Sequence, residues 1–488
     1  MKIVVIGSGF GGLSAAIRLR AQGHDVTIVE KLADAGGRAR VFRQDGFVFD
    51  AGPTIITAPF LISDLFAAAG RRVEDYVELV PLDPYYRIRF EDGTVFTYNG
   101  DRDAILDQIR AINPPDVDGY LRFVANAEDI FSAGFALIDK PFDRFTDMAR
   151  VLPDLARLRA DRSVADFVNR HIEDPRLRQV FSFHPLLVGG NPFQTTSIYA
   201  LIHTLEQKWG VWFAKGGTGA LVAAMIKLFE DIGGYVRYSS EVEAIAIDAS
   251  GRARGIALAG GSSISVDAVV ANSEVARTYM DLVPARNRKR NTDARLESMQ
   301  YSMSLFVLYF GTSRRYDDIA HHEILMGPRY RELLEDVFKR KILARDFSLY
   351  LHRPTATDES LAPAGSDSWY VLSPVPHLGG KVDWSEAAEP YRNAIVSYLD
   401  DRYLPGLSGN IVTERQIDPR YFRDTLNSHL GSAFSVEPIL TQSAWFRPHN
   451  RSEDVPNLYF VGAGTHPGAG IPGVLSSGKI VADMIGKA

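Results

Sequence analysis

The run Gly7-Ser8-Gly9-Phe10-Gly11-Gly12 constrains the fold more than any other part of the chain. It fits G-x-G-x-x-G, with Gly7, Gly9 and Gly12 in register, and its surroundings are right for that motif. Before it lies a short β-branched run, Ile3 to Ile6. After it, Leu13, Ala16, Ile17 and Leu19 fall at helical spacing up to Gly23, and Val26 to Val29 is a second β-branched run. Strand, glycine turn, helix and strand make one βαβ unit. In such a unit Gly7 permits the tight turn, Gly9 lets a pyrophosphate approach the backbone, and Gly12 lets helix and strand pack closely. The helix N-terminus offers free N–H groups and a positive dipole end to phosphates. Glu30 closes the second strand, where a carboxylate accepts hydrogen bonds from ribose hydroxyls and disfavours the 2′-phosphate of NADP. Slightly downstream, Gly36-Gly37-Arg38 offers Arg38 to a pyrophosphate or flavin edge. This end of the chain predicts dinucleotide binding without separating FAD from NAD.

The opposite end carries a second glycine turn. Asn457 to Phe460 reads as a strand, Gly462 to Gly473 is glycine-rich, and a helix is predicted from about Leu475 to Ile485. Gly464, Gly473 and Val474 thereby become candidate cofactor contacts. A second helix N-terminus near a flavin's pyrimidine end would stabilise the anionic reduced ring. NAD enzymes have no need of it, so the pair of motifs favours FAD.

Composition narrows the chemistry. The chain has 488 residues and no cysteine, which removes disulfides, thiolate metal sites, cysteine nucleophiles and a cysteinyl flavin link. FAD is therefore expected to be non-covalent. The net charge of −6, with no basic block, argues against nucleic acid as a partner. Met1-Lys2 runs directly into the first strand, and no stretch approaches the ~18 apolar residues of a membrane span, so a cytoplasmic location is expected.

Between the glycine turns the pattern changes. Residues 85–98 read as a hairpin around Asp92-Gly93, and residues 101–180 read as helical, with Val117, Tyr120, Val124, Phe131, Phe135 and Ile138 at helical spacing. Residues 147–162 form an amphipathic stretch with Met148, Val151, Leu152, Leu155 and Leu158 inward. A helix at 218–230, strands at 235–247 and 254–270, and a strand at 303–311 follow. The predicted fold is α/β: a Rossmann-like, doubly wound FAD-binding domain assembled from residues 1–80, 205–275 and 440–488. A mixed α+β substrate domain, with its helical region, is inserted as residues 81–204 and 276–439. His321-His322 has no evident third ligand, so it is read as part of a solvated loop and no metal is expected. His466 falls in the C-terminal turn, near the flavin or merely shaping the turn.

Four segments carry a resemblance: Phe181 to Pro192, Trp209 to Leu221, Gly431 to Pro438 and, most recognisably, Gly462 to Gly473. From about residue 2 to 485 the chain resembles the bacterial and fungal phytoene desaturases of the amine-oxidase-like flavoproteins. The resemblance implies a C40 carotenoid substrate, desaturated in successive steps to lycopene or neurosporene by hydride transfer to the flavin, with a quinone or oxygen as electron acceptor. It implies that Val242 contacts adenine, and it draws attention to Asp147 and Arg150 as a catalytic pair, which at i,i+3 also fits a surface ion pair. A bilayer-dissolved substrate implies peripheral attachment to a membrane surface, for which five arginines between 144 and 162 beside an apolar stripe are suited. The alternatives are a C30 diapophytoene desaturase, a carotenoid ketolase, or a non-enzymatic prenyl-binding escort module of the same fold.

Overall fold

In the computed structural model, which describes residues 1–135 and 137–488, the two β-branched runs become the parallel strands Lys2–Ile6 and Asp25–Val29. They lie inside a five-stranded parallel sheet in the order Leu458–Phe460, Ala268–Ala271, Lys2–Ile6, Asp25–Val29, Tyr235–Arg237. Ile3 to Ile6 are buried at every position, as expected for a strand covered on both faces. One face packs on helices Phe10–Ala21, Thr218–Asp231 and Ile471–Ile485. The other is covered by a three-stranded antiparallel sheet, Val242–Ile247, Ala253–Leu258 and Ser263–Ser265, through Ile245, Ile256 and Leu258. The long strand predicted at 254–270 folds back at the Gly260-Gly261 turn within the three-stranded sheet and crosses to the five-stranded sheet only after Ser265.

The second sheet has seven strands in the order Ile411–Ile417, Ser304–Thr312, Asp367–Val375, Leu349–His352, His322–Met326, Tyr86–Phe90, Val95–Tyr98. Every pairing is antiparallel except His322–Met326 with Tyr86–Phe90. The hairpin at 85–98 is thus an edge of this sheet. Ser304–Thr312, apolar throughout its middle, is buried at all positions near the sheet's other edge.

The region 101–180 is helical, broken into Arg102–Ile112, Asp116–Phe135, Phe145–Arg157, Val164–Asn169 and Pro175–Ser182. The first break falls at Asn113-Pro114, where proline disfavours helix in the residue before it. Ile138, expected on the long helix, lies in the turn after it. On Phe145–Arg157 the stripe of Met148, Val151, Leu155 and Leu158 turns inward, but Leu152 does not. It shares a flank with Phe145, seven residues away, and both are exposed, at 57% and 67%.

Candidate cofactor and substrate site

A single cavity of about 880 Å³ runs from the N-terminal glycine turn into the space beneath the seven-stranded sheet. Its polar end is made largely of backbone. Helix Phe10–Ala21 begins at Gly9 with no acidic residue in its first turn, so its free N–H groups and dipole face the cavity unopposed. A Cβ on Gly12 would stand 2.2 Å from the Gly7 carbonyl oxygen, so only glycine permits this turn. The C-terminal turn repeats the arrangement. Helix Ile471–Ile485 starts four residues earlier than its sequence pattern suggests, and a Cβ on Gly473 would stand 2.6 Å from the Gly468 carbonyl oxygen, again five residues back. The two helices pack along their length, with the Ser14 hydroxyl donating to the Leu475 carbonyl at 2.8 Å.

Glu30 is buried in the cavity wall, where its carboxylate accepts from the Ser8 N–H and hydroxyl at 2.9 and 2.7 Å and from the Leu32 N–H at 3.0 Å. Arg38 also lines the cavity. One of its guanidinium nitrogens donates to the Ser428 hydroxyl at 2.7 Å, while Nε has no partner among the described residues. Burial lowers its pKa, and the charge of Glu274 opposes that shift. Gly7, Gly9, Val242, Gly473 and Val474 join the same wall. Gly464 does not: it packs on Ser435 and Val275. Two helix N-termini, a buried carboxylate for ribose and an arginine with an unpartnered donor fit an FAD molecule.

Asn272 and Arg447 carry no sequence signal of their own, whereas His466 stands out in the sequence as part of the C-terminal turn. Asn272 follows the Ala268–Ala271 strand and touches the positions where Cβ atoms on Gly9, Gly11 and Gly12 would project. Arg447 is fully buried and donates to four carbonyls, those of Val436, Gln442, Ala463 and Thr465, which pins the C-terminal turn. His466 lines the cavity against Phe142, with both ring nitrogens unpartnered among the described residues, and burial pushes its pKa down to about 4.

The far end of the cavity is apolar. Leu186, Ile198, Leu205, Ile324, Leu349 and Leu372 contribute from six separate elements, and Met148, Val151, Leu155 and Leu158 add the inner face of Phe145–Arg157. Two carboxylates reach this part: Asp154, exposed and paired with Arg157, and a buried one. Glu206, on helix Leu201–Trp209, is fully buried. It accepts from the Tyr86 hydroxyl at 2.6 Å, and its other oxygen lies 3.2 Å from His184 Nε2. By contrast, Asp147 and Arg150 lie outside the lining. Asp147 caps the start of its helix through the Arg144 N–H, and Arg150, its side chain 79% exposed, meets it at 3.5 Å. Their geometry is that of a helix cap with a surface ion pair.

Known proteins share this architecture. Residues 10–486 match the family described as "Flavin containing amine oxidoreductase". An oxidoreductase structure from Methanosarcina mazei aligns with TM-score 0.68 at 17% identity, covering 99% of this chain and 100% of that one. A putrescine oxidase structure aligns with TM-score 0.67 at 13% identity, covering 99% and 98%. The lycopene-forming phytoene desaturase of Pseudescherichia vulneris is 52% identical over 99% of both chains. That of Pantoea ananas is 51% identical over 99% of this chain and 98% of its own, and the neurosporene-forming enzyme of Rhodobacter capsulatus is 45% identical over 99% and 94%. The chain belongs to the flavin-containing amine oxidoreductases and, within them, to the carotenoid desaturase family.

Proposed function

We infer that this protein is an FAD-dependent phytoene desaturase that takes its substrate through successive steps to lycopene. The observation that carries this reading is the cavity itself, in which a dinucleotide cradle opens without interruption into an apolar space. A C40 hydrocarbon offers no polar handle, so its binding rests on apolar burial at roughly 25 cal/mol per Å². The leucine and isoleucine wall supplies that surface and excludes water.

Bound FAD supplies the hydride acceptor for an allylic C–H bond. The chain's own part is to hold the cofactor on two helix N-termini, Glu30 and Arg38, and to align the polyene beside it. Desaturation also releases a proton from the neighbouring carbon. Glu206, held by Tyr86 and His184 in the apolar half of the wall, is the group that takes it.

The reading extends to the membrane. No helix among the described residues is long and apolar enough to span a bilayer. Attachment would be peripheral, on the cytoplasmic side, through Phe145–Arg157. The inner face of this helix lines the cavity, while Phe145, packed edge-on against Trp445 at 5.6 Å, and Leu152 face outward beside Arg144, Arg150 and Arg157. A quinone or oxygen reaching the same opening would take the electrons. Anaerobic incubation of the FAD-loaded protein with phytoene liposomes and a quinone, followed by chromatography, tests the whole reading. Lycopene is expected; unchanged phytoene from a protein with a full flavin spectrum would overturn it.

A further inference from the structure

His321-His322 is buried rather than part of a solvated loop, and the fold brings it a third imidazole. Strand His322–Met326 pairs with Leu349–His352 in a register that sets His322 opposite His352, while the His321 carbonyl accepts from the Arg353 N–H. The three ring centroids are 4.5, 4.8 and 5.1 Å apart, and one nitrogen from each ring lies within 4.8 Å of the other two.

Hydrogen bonds orient two of the rings. His321 Nδ1 is 2.6 Å from the Thr357 hydroxyl, and His322 Nδ1 is 2.7 Å from the Tyr350 hydroxyl, which meets the Thr54 hydroxyl at 2.6 Å. With Nδ1–H donating in both, each Nε2 presents a lone pair to the centre of the cluster. His321 Nε2, His322 Nε2 and both nitrogens of His352 have no hydrogen-bond partner among the described residues. An unsatisfied buried polar group costs ~1–3 kcal/mol, and here several converge on one point. Burial, with the Arg353 charge second, holds His321 down to about pKa 3, and burial drives His322 and His352 well below the usual histidine range. Arg353 does not oppose a cation strongly, because Asp367 lies 3.3 Å from its guanidinium and the Ile319 carbonyl accepts from it at 2.7 Å. A second, smaller cavity bounded by Asp317, Ile319 and Thr357 reaches His321 and gives an entry path.

We propose that His321, His322 and His352 bind one divalent transition metal, with zinc the best match to an all-imidazole set and a fourth position left for water. The rings need to close by less than about 1 Å to reach the ~2.0–2.1 Å of zinc–imidazole bonds. The metal would clamp the two strands that carry Ile324, Leu349 and Tyr350 into the wall of the main cavity.

The test uses the FAD-loaded protein, stripped with a chelator and titrated separately with Zn²⁺ and Co²⁺. One equivalent is expected to bind, with Co²⁺ giving a tetrahedral ligand-field band beyond the flavin absorption. X-ray absorption of the zinc form should show imidazole scatterers at ~2.0–2.1 Å. H352F should abolish stoichiometric binding, T357V should weaken it by about 10-fold, and H449A, at a histidine outside the cluster whose Nε2 lies 2.9 Å from the Trp445 carbonyl oxygen, should leave it unchanged. Substoichiometric binding, an oxygen-dominated shell, or full binding by a folded H352F would overturn the proposal. Should H352F fail to fold, X-ray absorption of the unsubstituted protein decides alone.

Discussion

At one end of the main cavity the wall is backbone, and at the other it is side chains. The cofactor end depends on helix N-termini reached through turns in which positions such as Gly12 and Gly473 admit only glycine. The substrate end is a surface of leucine and isoleucine from elements scattered along the chain, where volume and apolarity matter more than identity. The first end should therefore fail abruptly under substitution and the second gradually, except where it holds a buried charge.

Gly12→Val would separate the two regimes most sharply. A side chain there collides with the Gly7 carbonyl, so FAD should be absent and desaturation should fall by more than ~1,000-fold, read by flavin absorbance and product chromatography. A volume-conserving apolar swap such as Leu205→Met should cost less than ~1.5 kcal/mol of stability with FAD retained. Glu206→Gln probes the exception. It keeps the shape but removes the carboxylate, so kcat should drop by about 100-fold with the flavin spectrum unchanged, and wild-type kcat would remove Glu206 from the mechanism. Glu30→Ala takes away a buried acceptor of three hydrogen bonds. FAD affinity should weaken by roughly 10–100-fold, measured by flavin fluorescence titration, with near-normal turnover at saturating FAD. Replacing both Phe145 and Leu152 by Asp should cut liposome flotation by about 10-fold while leaving the melting temperature within 2 °C or so.

The smallest effect concerns a charge behind the apolar wall. Burial raises the Glu437 carboxyl to about pKa 7. Its folded pKa lies above its unfolded one, so its contribution is fully present below about pH 4.5 and is lost as pH rises through 7. Between pH 6 and 8 the protein should lose about 1 kcal/mol from this group, and Glu437→Gln should flatten that part of the pH–stability curve in urea titrations.

The same contrast decides what could be read from residues in a row. Gly7, Gly9, Gly12 and Glu30 announced the cofactor end because a backbone requirement leaves a residue-type signature at fixed spacing. Gly464 shows the reach of that reading. It sits in the same glycine-rich run as Gly473, yet its bareness serves packing against Ser435 and Val275. The substrate wall left no such trace, since Leu349 beside a cavity looks like any core leucine. Glu206 carries no local signal, because Tyr86 and His184 close on it only in the fold. His352 became the third imidazole only through a strand register that no local pattern encodes. Asp147 and Arg150 stand out for the opposite reason: their spacing is local and real, and it makes a helix cap with an ion pair.

The parallel sheet places Leu458–Phe460 beside Ala268–Ala271, which pairs with Lys2–Ile6, so the first and last segments of the chain meet in one cofactor cradle. During synthesis this has a cost in time. At ~5–20 residues per second, the interval between completing the Glu30 strand and delivering the second glycine turn is on the order of half a minute to a minute and a half. Throughout it the nascent chain carries half a cradle and the unfinished edge of a sheet. Capture of the flavin is thereby deferred until helix Ile471–Ile485 has been made, and a chain that stops before this helix cannot be rescued by supplying more cofactor.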